Sequence, residues 1–402
     1  MKPAWFRFLL LLIVCLLPVA GSPPAAQTSQ TRPNILIIVA DDWSFPHAGV
    51  YGDKAVQTPN FDRFAREGTL FTNAYCASPS CTPSRASLLT GRAVHQLEEG
   101  GNLWGFLPQK FATYPDLLEK SGYFVGSTRK GWGPGNYQAG GFAENPAGKS
   151  YKSFDEFYAQ VPQGKPFCFW FGSQDPHRPY DKDSGVQAGL KPEAVVVPPQ
   201  FPNTLEVRKD ILDYYLEVQR MDRDAGAILK RLAADGKLDN TLIVWTSDNG
   251  MPFPRSKANL YNFGTHMPLA VRWPGKVAEG RCVTDPVELV DIVPTVLDLA
   301  GQPRPPVLHG LSLASTLKQG GAGPHRDVVV SEYLENEEAM AISGPYKLII
   351  GSGKRRRRDG LDNGLPLSGP YVRLYHTRND PMELHDLGTD PEHQEVVRRM
   401  KK

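Results

Sequence analysis

Four apolar runs, each followed directly by polar residues, constrain the fold of this chain more than any other feature. Continuous apolar runs of this length are typical of parallel strands buried on both faces of a sheet. Helix-like stretches lie between the runs, at 115–122 and 211–235. Strand and helix therefore alternate, which predicts an α/β fold with a large, mixed, mainly parallel sheet sandwiched by helices. The runs cover 34–40, 123–127, 166–171 and 241–247.

The polar residues that follow these runs are predicted to share one site. Asp41 and Asp42 follow the first run, Lys130 the second, His177 the third and Asp248 the fourth. Ligands of open α/β sheets bind outside the carboxyl ends of the strands, so residues far apart in sequence should converge there. If the pattern arose by chance, polar residues would be expected at both ends of the strands rather than at the carboxyl ends alone.

Two acidic clusters predict a metal site. Asp41, Asp42, Asp248 and Asn249 all offer hard oxygen donors, which suit calcium or magnesium and poorly suit zinc. An Asp-Asp pair alone is more often a helix cap or a turn. A second cluster, Asp-Asn-Gly, after another buried strand favours the metal interpretation.

The two ends of the chain differ in character from its middle. Basic residues, an apolar run at 8–17 and then small residues predict a cleaved secretory signal at 1–22, too short for a stable membrane span. From Arg326 onward, short runs with Gly-rich breaks predict a small antiparallel sheet and a terminal helix. We therefore expect a catalytic α/β domain at 23–325 and a C-terminal antiparallel α+β subdomain at 326–402.

Composition limits the compartment and the partners. The sequence contains no Asn-x-Ser/Thr acceptor, which favours an exported bacterial protein, periplasmic or secreted. Lys and Arg number 45 against 43 Asp and Glu, for a net charge of +2, so nothing global demands nucleic acid. The basic run at 354–358 is typical of a solvated loop, although an anionic polymer could use it. The cysteines that remain after signal removal imply no disulfide framework.

The segment C-T-P-S-R at 81–85, followed by S-L-L-T-G-R at 87–92, is the most specific motif. Pro83 and Ser84 place the residues after Cys81 at a helix start, where free backbone N–H groups favour an anion. A single cysteine is most often just a buried thiol. This motif, however, resembles the signature by which type I sulfatases of the alkaline phosphatase superfamily convert a cysteine to formylglycine (3-oxoalanine).

The resemblance extends over nearly the whole mature chain and implies a mechanism. It implies an alkaline phosphatase-like fold, calcium (with magnesium as the alternative) and a formylglycine-generating enzyme as the maturation partner. One hydroxyl of the hydrated aldehyde at Cys81 would bind the metal and the other would attack sulfur. Arg85 would hold the modified side chain, and Lys130 and Lys257 would neutralise the sulfate oxygens. His177 would protonate the leaving group.

Within the family, the segments 248–254 and 259–261 resemble the heparan N-sulfatase (sulfamidase) branch. Two differences between this chain and the family limit what the resemblance implies about the substrate. Sulfatases commonly carry Lys-x-His where this chain has Lys130 and Trp132, and an indole exchanges no proton near neutral pH. Sulfamidase also has arginine at the position of Lys257. The predicted substrate is therefore a sulfated carbohydrate, either N-sulfoglucosamine or an O-sulfated glycan.

Five further residues are predicted to face the sugar, each with a structural alternative. The segment around Asn102 and Trp104 could be a sugar-binding rim or a turn-rich loop with one buried tryptophan. His95 could assist the chemistry or pack locally at a helix end. The full set is His47, His95, Asn102, Trp104 and Trp132.

Two rival functions remain open at this point. A phosphoester or phosphonate hydrolase of the same superfamily would be favoured by a second set of metal ligands, and none is evident in the sequence. A catalytically silent glycan-binding homologue would be expected to lose Cys81 or a metal ligand, and all of them are present.

Overall fold

The computed structural model describes residues 32–321, 326–353 and 369–402, which belong to one compact unit. The predicted signal at 1–22 and the basic run at 354–358 lie outside the described residues. None of the helices within the described ranges is both long enough and apolar enough to cross a bilayer.

A nine-stranded mixed sheet forms the centre of the molecule. Its order is β4-β3-β5-β1-β6-β7-β2-β8, with β9 also paired to β2. Pairing is parallel from β4 through β6, whereas β7 is antiparallel to both of its neighbours. The predicted mainly parallel sheet is confirmed. Its strands are β1 (Asn34–Ala40), β2 (Thr69–Tyr75), β3 (Phe124–Arg129), β4 (Ser150–Tyr151), β5 (Phe167–Gly172), β6 (Thr241–Ser247), β7 (His266–Arg272), β8 (Arg281–Val283) and β9 (Val287–Glu288).

Helices cover both faces of this sheet. Successive residues of β1 point to opposite cores: Ile35 packs in one with α2, α3 and α8, and Leu36 in the other with α1 and α6. Burial on both faces explains why the central strands read as continuous apolar runs. The helices are α1 (Pro59–Arg66), α2 (Cys81–Thr90), α3 (Tyr114–Lys120), α4 (Phe154–Tyr158), α5 (Ser184–Gln187), α6 (Leu205–Ala234), α7 (Asn262–Thr265), α8 (Ile292–Leu299) and α9 (Gln394–Met400).

A separate four-stranded antiparallel sheet follows in the C-terminal part. It consists of β10 (Val328–Tyr333), β11 (Glu338–Ser343), β12 (Tyr346–Gly351) and β13 (Tyr371–His376), paired in chain order. Its apolar face packs on Leu260 and Tyr261, in the segment after Lys257. The predicted small antiparallel sheet is confirmed, while the exact domain boundary at 325/326 stays a prediction.

Candidate active site

The ends of β1 and β6 bring the two acidic clusters together. The strands pair in parallel over their full length, so Asp42 and Asp248 leave the sheet side by side. The backbone N–H of Asp42 donates to Asp248 Oδ1 at 3.1 Å, and Asn249 Nδ2 donates to Asp42 Oδ1 at 2.8 Å. Asp42 has a φ of 76°, a left-handed conformation that Asp tolerates better than most residues. The acidic cluster is therefore a consequence of strand pairing.

Cys81 is the first residue of α2 and faces this acidic cluster. Its Sγ lies 3.6 Å from Asp41 Oδ1 and 4.0 Å from Asp42 Oδ1. The side chain is buried, and burial raises the pKa of the Cys81 thiol to about 11, although Lys130 and Lys257 act in the opposite direction. The unmodified thiol is therefore protonated at neutral pH and is a poor nucleophile.

Arg85 lies one helical turn after Cys81 and is completely buried. Its Nε donates to Asp248 Oδ2 at 2.7 Å, and Nη1 donates to the carbonyls of Lys130 and Gly131 at 2.7 and 2.9 Å. Nη2 lies 3.9 Å from Asp41 Oδ1 and has no hydrogen-bond partner among the described residues. Arg85 thus ties α2 to the ends of β3 and β6, with one N–H group still available.

Two lysines place their ammonium groups on the acidic cluster from different elements. Lys130 follows β3, and its Nζ lies 2.6 Å from Asp41 Oδ2. Lys257 Nζ lies 2.7 Å from Asp42 Oδ2. Burial would lower the pKa of Lys257, but the negative charges around it, first that of Asp42, raise that pKa above its ordinary range. Both lysines are therefore held as cations at the acidic cluster.

The loop that carries Lys257 is fixed to the loop that precedes the cysteine. The N–H of Lys257 donates to Met251 O at 3.0 Å, and the N–H of Ala258 donates to Pro79 O at 2.8 Å. Arg255 and Ala258 both have positive φ, so the backbone reverses on each side of Lys257. These bonds aim the ammonium group at Asp42.

His177 approaches the same carboxylates from the loop after β5. Its Nε2 lies 3.8 Å from Asp42 Oδ2, and its Nδ1 donates to Arg178 O at 2.5 Å. Because Nδ1 is engaged with a carbonyl, Nε2 is the ring atom that can exchange a proton at the site. The side chain is 42% exposed, so it can reach a bound substrate.

The acidic cluster suits a hard divalent cation. Asp41, Cys81 and Asp248 have ligand atoms within 4.8 Å of one another, as do Asp42, Cys81 and His177. In addition, Asn249 Oδ1 is buried without a hydrogen-bond partner in the described part of the chain, as an oxygen reserved for a metal would be. Carboxylate and amide oxygens are the ligands that calcium and magnesium prefer.

These residues open into a cleft of about 640 Å³. Trp104 lines it and is 64% exposed. Arg178 lines it too, but its guanidinium is held by both carboxylate oxygens of Asp210, at 2.9 and 2.6 Å. The residues that line the cleft are Asp41, Cys81, Leu103, Trp104, Lys130, Pro134, Gln174, Asp175, His177, Arg178, Pro179 and Lys257.

Comparison with known families agrees with this arrangement. A family model described as Sulfatase matches residues 33–302. The chain belongs to the sulfatase family. A second model, described as N-sulphoglucosamine sulphohydrolase, C-terminal, matches residues 255–352 of this sulfatase-family chain.

This sulfatase-family chain is also similar in sequence to individual curated proteins. It is 34% identical to human N-sulphoglucosamine sulphohydrolase over 324 residues, which cover 69% of this chain and 62% of the human protein. The match therefore spans less than two thirds of that relative's length.

Solved structures of other proteins have a fold similar to that of this chain. The solved structure of a protein in complex with its substrate D-glucosamine-2-N,6-O-disulfate has a TM-score of 0.72 at 21% identity, covering 92% of this chain and 96% of that one. A phosphonate monoester hydrolase from Silicibacter pomeroyi has a TM-score of 0.69 at 18% identity, covering 92% and 94%. At these identities the likeness shows the fold alone.

In the structure of this sulfatase-family chain, the five residues expected to face the sugar lie in different environments. Only Trp104 lines the cleft. Trp132 is 3% exposed and packs in the core, and Asn102 ends a short helical turn outside the lining. His95 Nδ1 lies 2.9 Å from a carboxylate oxygen of Glu332 in the small sheet.

His47 is placed in an aromatic cluster beneath the site. Its Nδ1 lies 3.2 Å from Tyr214 Oη, and its ring stacks on Phe263 with centroids 5.7 Å apart. Burial lowers the pKa of His47 to about 4, so the ring is neutral at physiological pH. The position of His47 a few residues after Asp41 and Asp42 did not reveal that its side chain lies outside the lining of the cleft.

Sequence reasoning missed several lining residues, one of which is the carboxylate of Asp175. Asp175 hydrogen-bonds through its side chain to Glu217 of α6, and burial raises the pKa of both carboxyl groups. Its position in the polar cluster after the third apolar run was a usable signal. The partner on α6 was not readable, because nothing local links the two segments.

Proposed function

We propose that this protein is an exported sulfatase that hydrolyses sulfate esters or sulfamates of carbohydrates, with Cys81 converted to formylglycine. The observation that carries the proposal is the position of Cys81. It begins a helix, contacts the acidic cluster and is surrounded by Arg85, Lys130, Lys257 and His177. A helix start among cations is a site for a tetrahedral oxyanion.

The charges around Cys81 support sulfate as the group that is bound. Three carboxylates, those of Asp41, Asp42 and Asp248, face the three cations Arg85, Lys130 and Lys257. A divalent cation and the sulfate dianion that hydrolysis releases could therefore occupy the buried site together without leaving net charge there. Asp41, Asp42, Asp248 and Asn249 would hold calcium or magnesium, which would supply positive charge for the acidic cluster and the sulfate oxygens.

Each side chain of the cleft has a definable task in this proposal. Formylglycine would supply at position 81 a nucleophilic hydroxyl in place of the protonated thiol. The ammonium groups of Lys130 and Lys257 would stabilise the non-bridging sulfate oxygens as charge develops. The free N–H of Arg85 would orient the modified side chain. Nε2 of His177 would give its proton to the leaving oxygen or nitrogen.

Trp132 occupies the position where sulfatases commonly carry a histidine. His177 would therefore carry out proton transfers that two histidines would otherwise share. Trp132 is buried and is not among the residues that line the cleft. His177 is the one imidazole among the residues that line the cleft in the described ranges. We infer that His177 serves both the leaving group and the return of the modified residue to its resting state.

The proposed substrate is N-sulfoglucosamine or an O-sulfated sugar at the end or side of a glycan. Support comes from the likeness to N-sulphoglucosamine sulphohydrolase and from a cleft of about 640 Å³ with an exposed indole at Trp104. An aromatic face packs well against a sugar ring. Maturation would require a formylglycine-generating enzyme, and export would follow from the signal at 1–22.

A substrate panel tests this function. We expect the protein, produced together with a formylglycine-generating enzyme and supplied with calcium, to release sulfate from N-sulfoglucosamine or a 6-O-sulfated glucosamine. Cys81→Ala should abolish release, while Cys168→Ala, which alters a buried core cysteine, should retain it. Faster hydrolysis of a phosphonate monoester than of every sulfated substrate would overturn the proposal in favour of the phosphonate hydrolase.

A further inference from the structure

A second basic region lies near the beginning of β6, away from the strand ends that form the cleft. A groove of about 690 Å³ runs between α1 and the C-terminal half of α6. Four cations line it, Arg63, Arg223, Lys230 and Arg272, against one acid, Glu67. This concentration of positive charge stands out in a chain whose net charge is only +2.

The cations of the groove differ from the other cations of α6. Arg220 lies 2.5 Å from Glu217, and Arg231 lies 2.8 Å from Asp235. The side chains of Arg63, Arg223 and Lys230, by contrast, make no hydrogen bond or ion pair with any residue in the described ranges. Arg223 and Lys230 are seven residues apart and therefore lie on one face of the helix.

Arg272 adds a buried donor that lacks a partner. Its Nη2 lies 3.2 Å from Glu67 Oε2, but its Nε is buried with no hydrogen-bond partner among the described residues. The side chain is only 13% exposed. A buried N–H group without an acceptor is costly, and the Arg272 side chain belongs to the lining of the groove.

The floor of the groove is formed by small and apolar residues. Between the cations lie Gly226, Ala227 and Ala233 of α6, with Phe64 and Leu229 beside them. Cations beside an apolar floor suit a ligand that has both an apolar face and several negative groups. A sugar ring that carries sulfate groups has this combination.

The groove cannot be an extension of the catalytic cleft. Arg272 pairs with Ile243, near the beginning of β6, whereas Asp248 follows the end of that strand. Five residues of strand separate the two levels, or about 16 Å. One sugar unit cannot reach both places, but a polysaccharide can occupy the groove independently.

We propose that this groove is a non-catalytic site that binds a sulfated carbohydrate chain and holds the enzyme on its polymer. The choice of a sulfated glycan rests on the proposed function; the anion site itself does not. Arg223, Lys230 and Arg63 contact sulfate groups, and the floor contacts the sugar ring.

The test measures binding rather than turnover, in proteins that all carry Cys81→Ala so that the cleft contributes equally. The probe is a fluorescently labelled heparin oligosaccharide, and inorganic sulfate and a single-stranded DNA of similar charge are compared at equal ionic strength. The test variant is Arg223→Ala with Lys230→Ala. The matched control is Arg66→Ala with Lys237→Ala, which removes two exposed cations outside the groove, one of them from α1.

We expect the test variant to bind the oligosaccharide about tenfold more weakly, and the control within about twofold of the parent. Equal weakening by both variants would mean a non-specific charge effect and would overturn the site. Equal affinity for DNA would overturn the carbohydrate assignment, and equal molar affinity for inorganic sulfate would show a site for the free anion. If the protein without the Cys81→Ala substitution, matured with a formylglycine-generating enzyme, releases no sulfate while the groove still discriminates, the proposed function fails and the anion site stands.

Discussion

The cleft and the groove both concentrate basic side chains, and they hold them in opposite ways. In the cleft, Arg85, Lys130 and Lys257 lie within 2.6–2.7 Å of a carboxylate oxygen, and all three are largely buried. In the groove, Arg223 and Lys230 are exposed and have no such partner in the described part of the chain. Buried charges must be paired, whereas solvated charges need not be.

This difference separates two kinds of anion recognition. Paired, buried cations are fixed in place before substrate arrives, so they can stabilise charge that develops during a reaction. Unpaired, exposed cations are mobile and screened by salt, so they provide reversible attraction. The following predictions test whether this division holds.

The largest effect is expected from removing a buried cation. Arg85→Ala should lower the free energy of unfolding by about 3–5 kcal/mol, because Asp248 would be left buried and unpaired. Arg223→Ala removes an exposed, unpaired arginine and should change it by less than about 0.5 kcal/mol. Denaturant unfolding in EDTA measures both. Similar decreases in the free energy of unfolding for the two variants would contradict the proposed difference between the cations of the cleft and those of the groove.

Removal of Lys257 should affect catalysis more than stability. We expect Lys257→Ala to lower kcat/KM for a sulfated substrate by about 100-fold, because one donor to the sulfate oxygens is lost. Lys237→Ala, on the exposed turn after α6, serves as the control and should leave kcat/KM unchanged. A normal kcat/KM in Lys257→Ala would remove this lysine from the proposed chemistry.

Metal binding should be visible without any substrate. Calcium at about 100 times its Kd should raise the free energy of unfolding by about 2.7 kcal/mol, because only the folded chain assembles the oxygen ligands. Asn249→Ala should remove most of this increment, whereas Asn379→Ala, at an exposed turn, should retain it. Calorimetry with and without calcium gives the comparison. An undiminished increment in Asn249→Ala would exclude Asn249 as a ligand.

The smallest effect concerns the mouth of the cleft. Trp104→Ala should raise KM about fivefold, or about 1 kcal/mol, with kcat unchanged, because one packing surface for the sugar is lost. Phe106→Ala, at a less exposed aromatic residue outside the lining, should leave KM unchanged. Steady-state kinetics on one sulfated sugar decide the matter. A lower kcat with unchanged KM would instead assign Trp104 to the chemical step.

The sequence predicted those features that depend on strand burial and strand ends. The apolar runs at 34–40 and 241–247 became β1 and β6, and their parallel pairing made Asp42 and Asp248 neighbours. The predicted helix at 211–235 is longer in the structure, starting at Leu205, because Thr204 caps it: its side chain accepts from Val207 N–H. Local patterns determine such features, so they are readable in advance.

Features that depend on contacts between distant segments were not readable. Nearness in sequence to the predicted site residues made His95, Trp132 and His47 appear relevant, but Glu332 binds the first and core packing buries the other two. The pairing of Asp175 with Glu217 of α6 and the groove on the far end of the sheet likewise depend on how separate elements pack. No spacing in the chain encodes either of them.

The state of residue 81 is the most direct test of the account. Mass spectrometry of the peptide that contains this residue, from protein matured in its host or with a formylglycine-generating enzyme, should show an aldehyde in place of the thiol. The same sample should release sulfate from a sulfated sugar. An unmodified cysteine in a cell that converts other sulfatases, together with sulfate release, would contradict the central claim that catalysis depends on a modified Cys81.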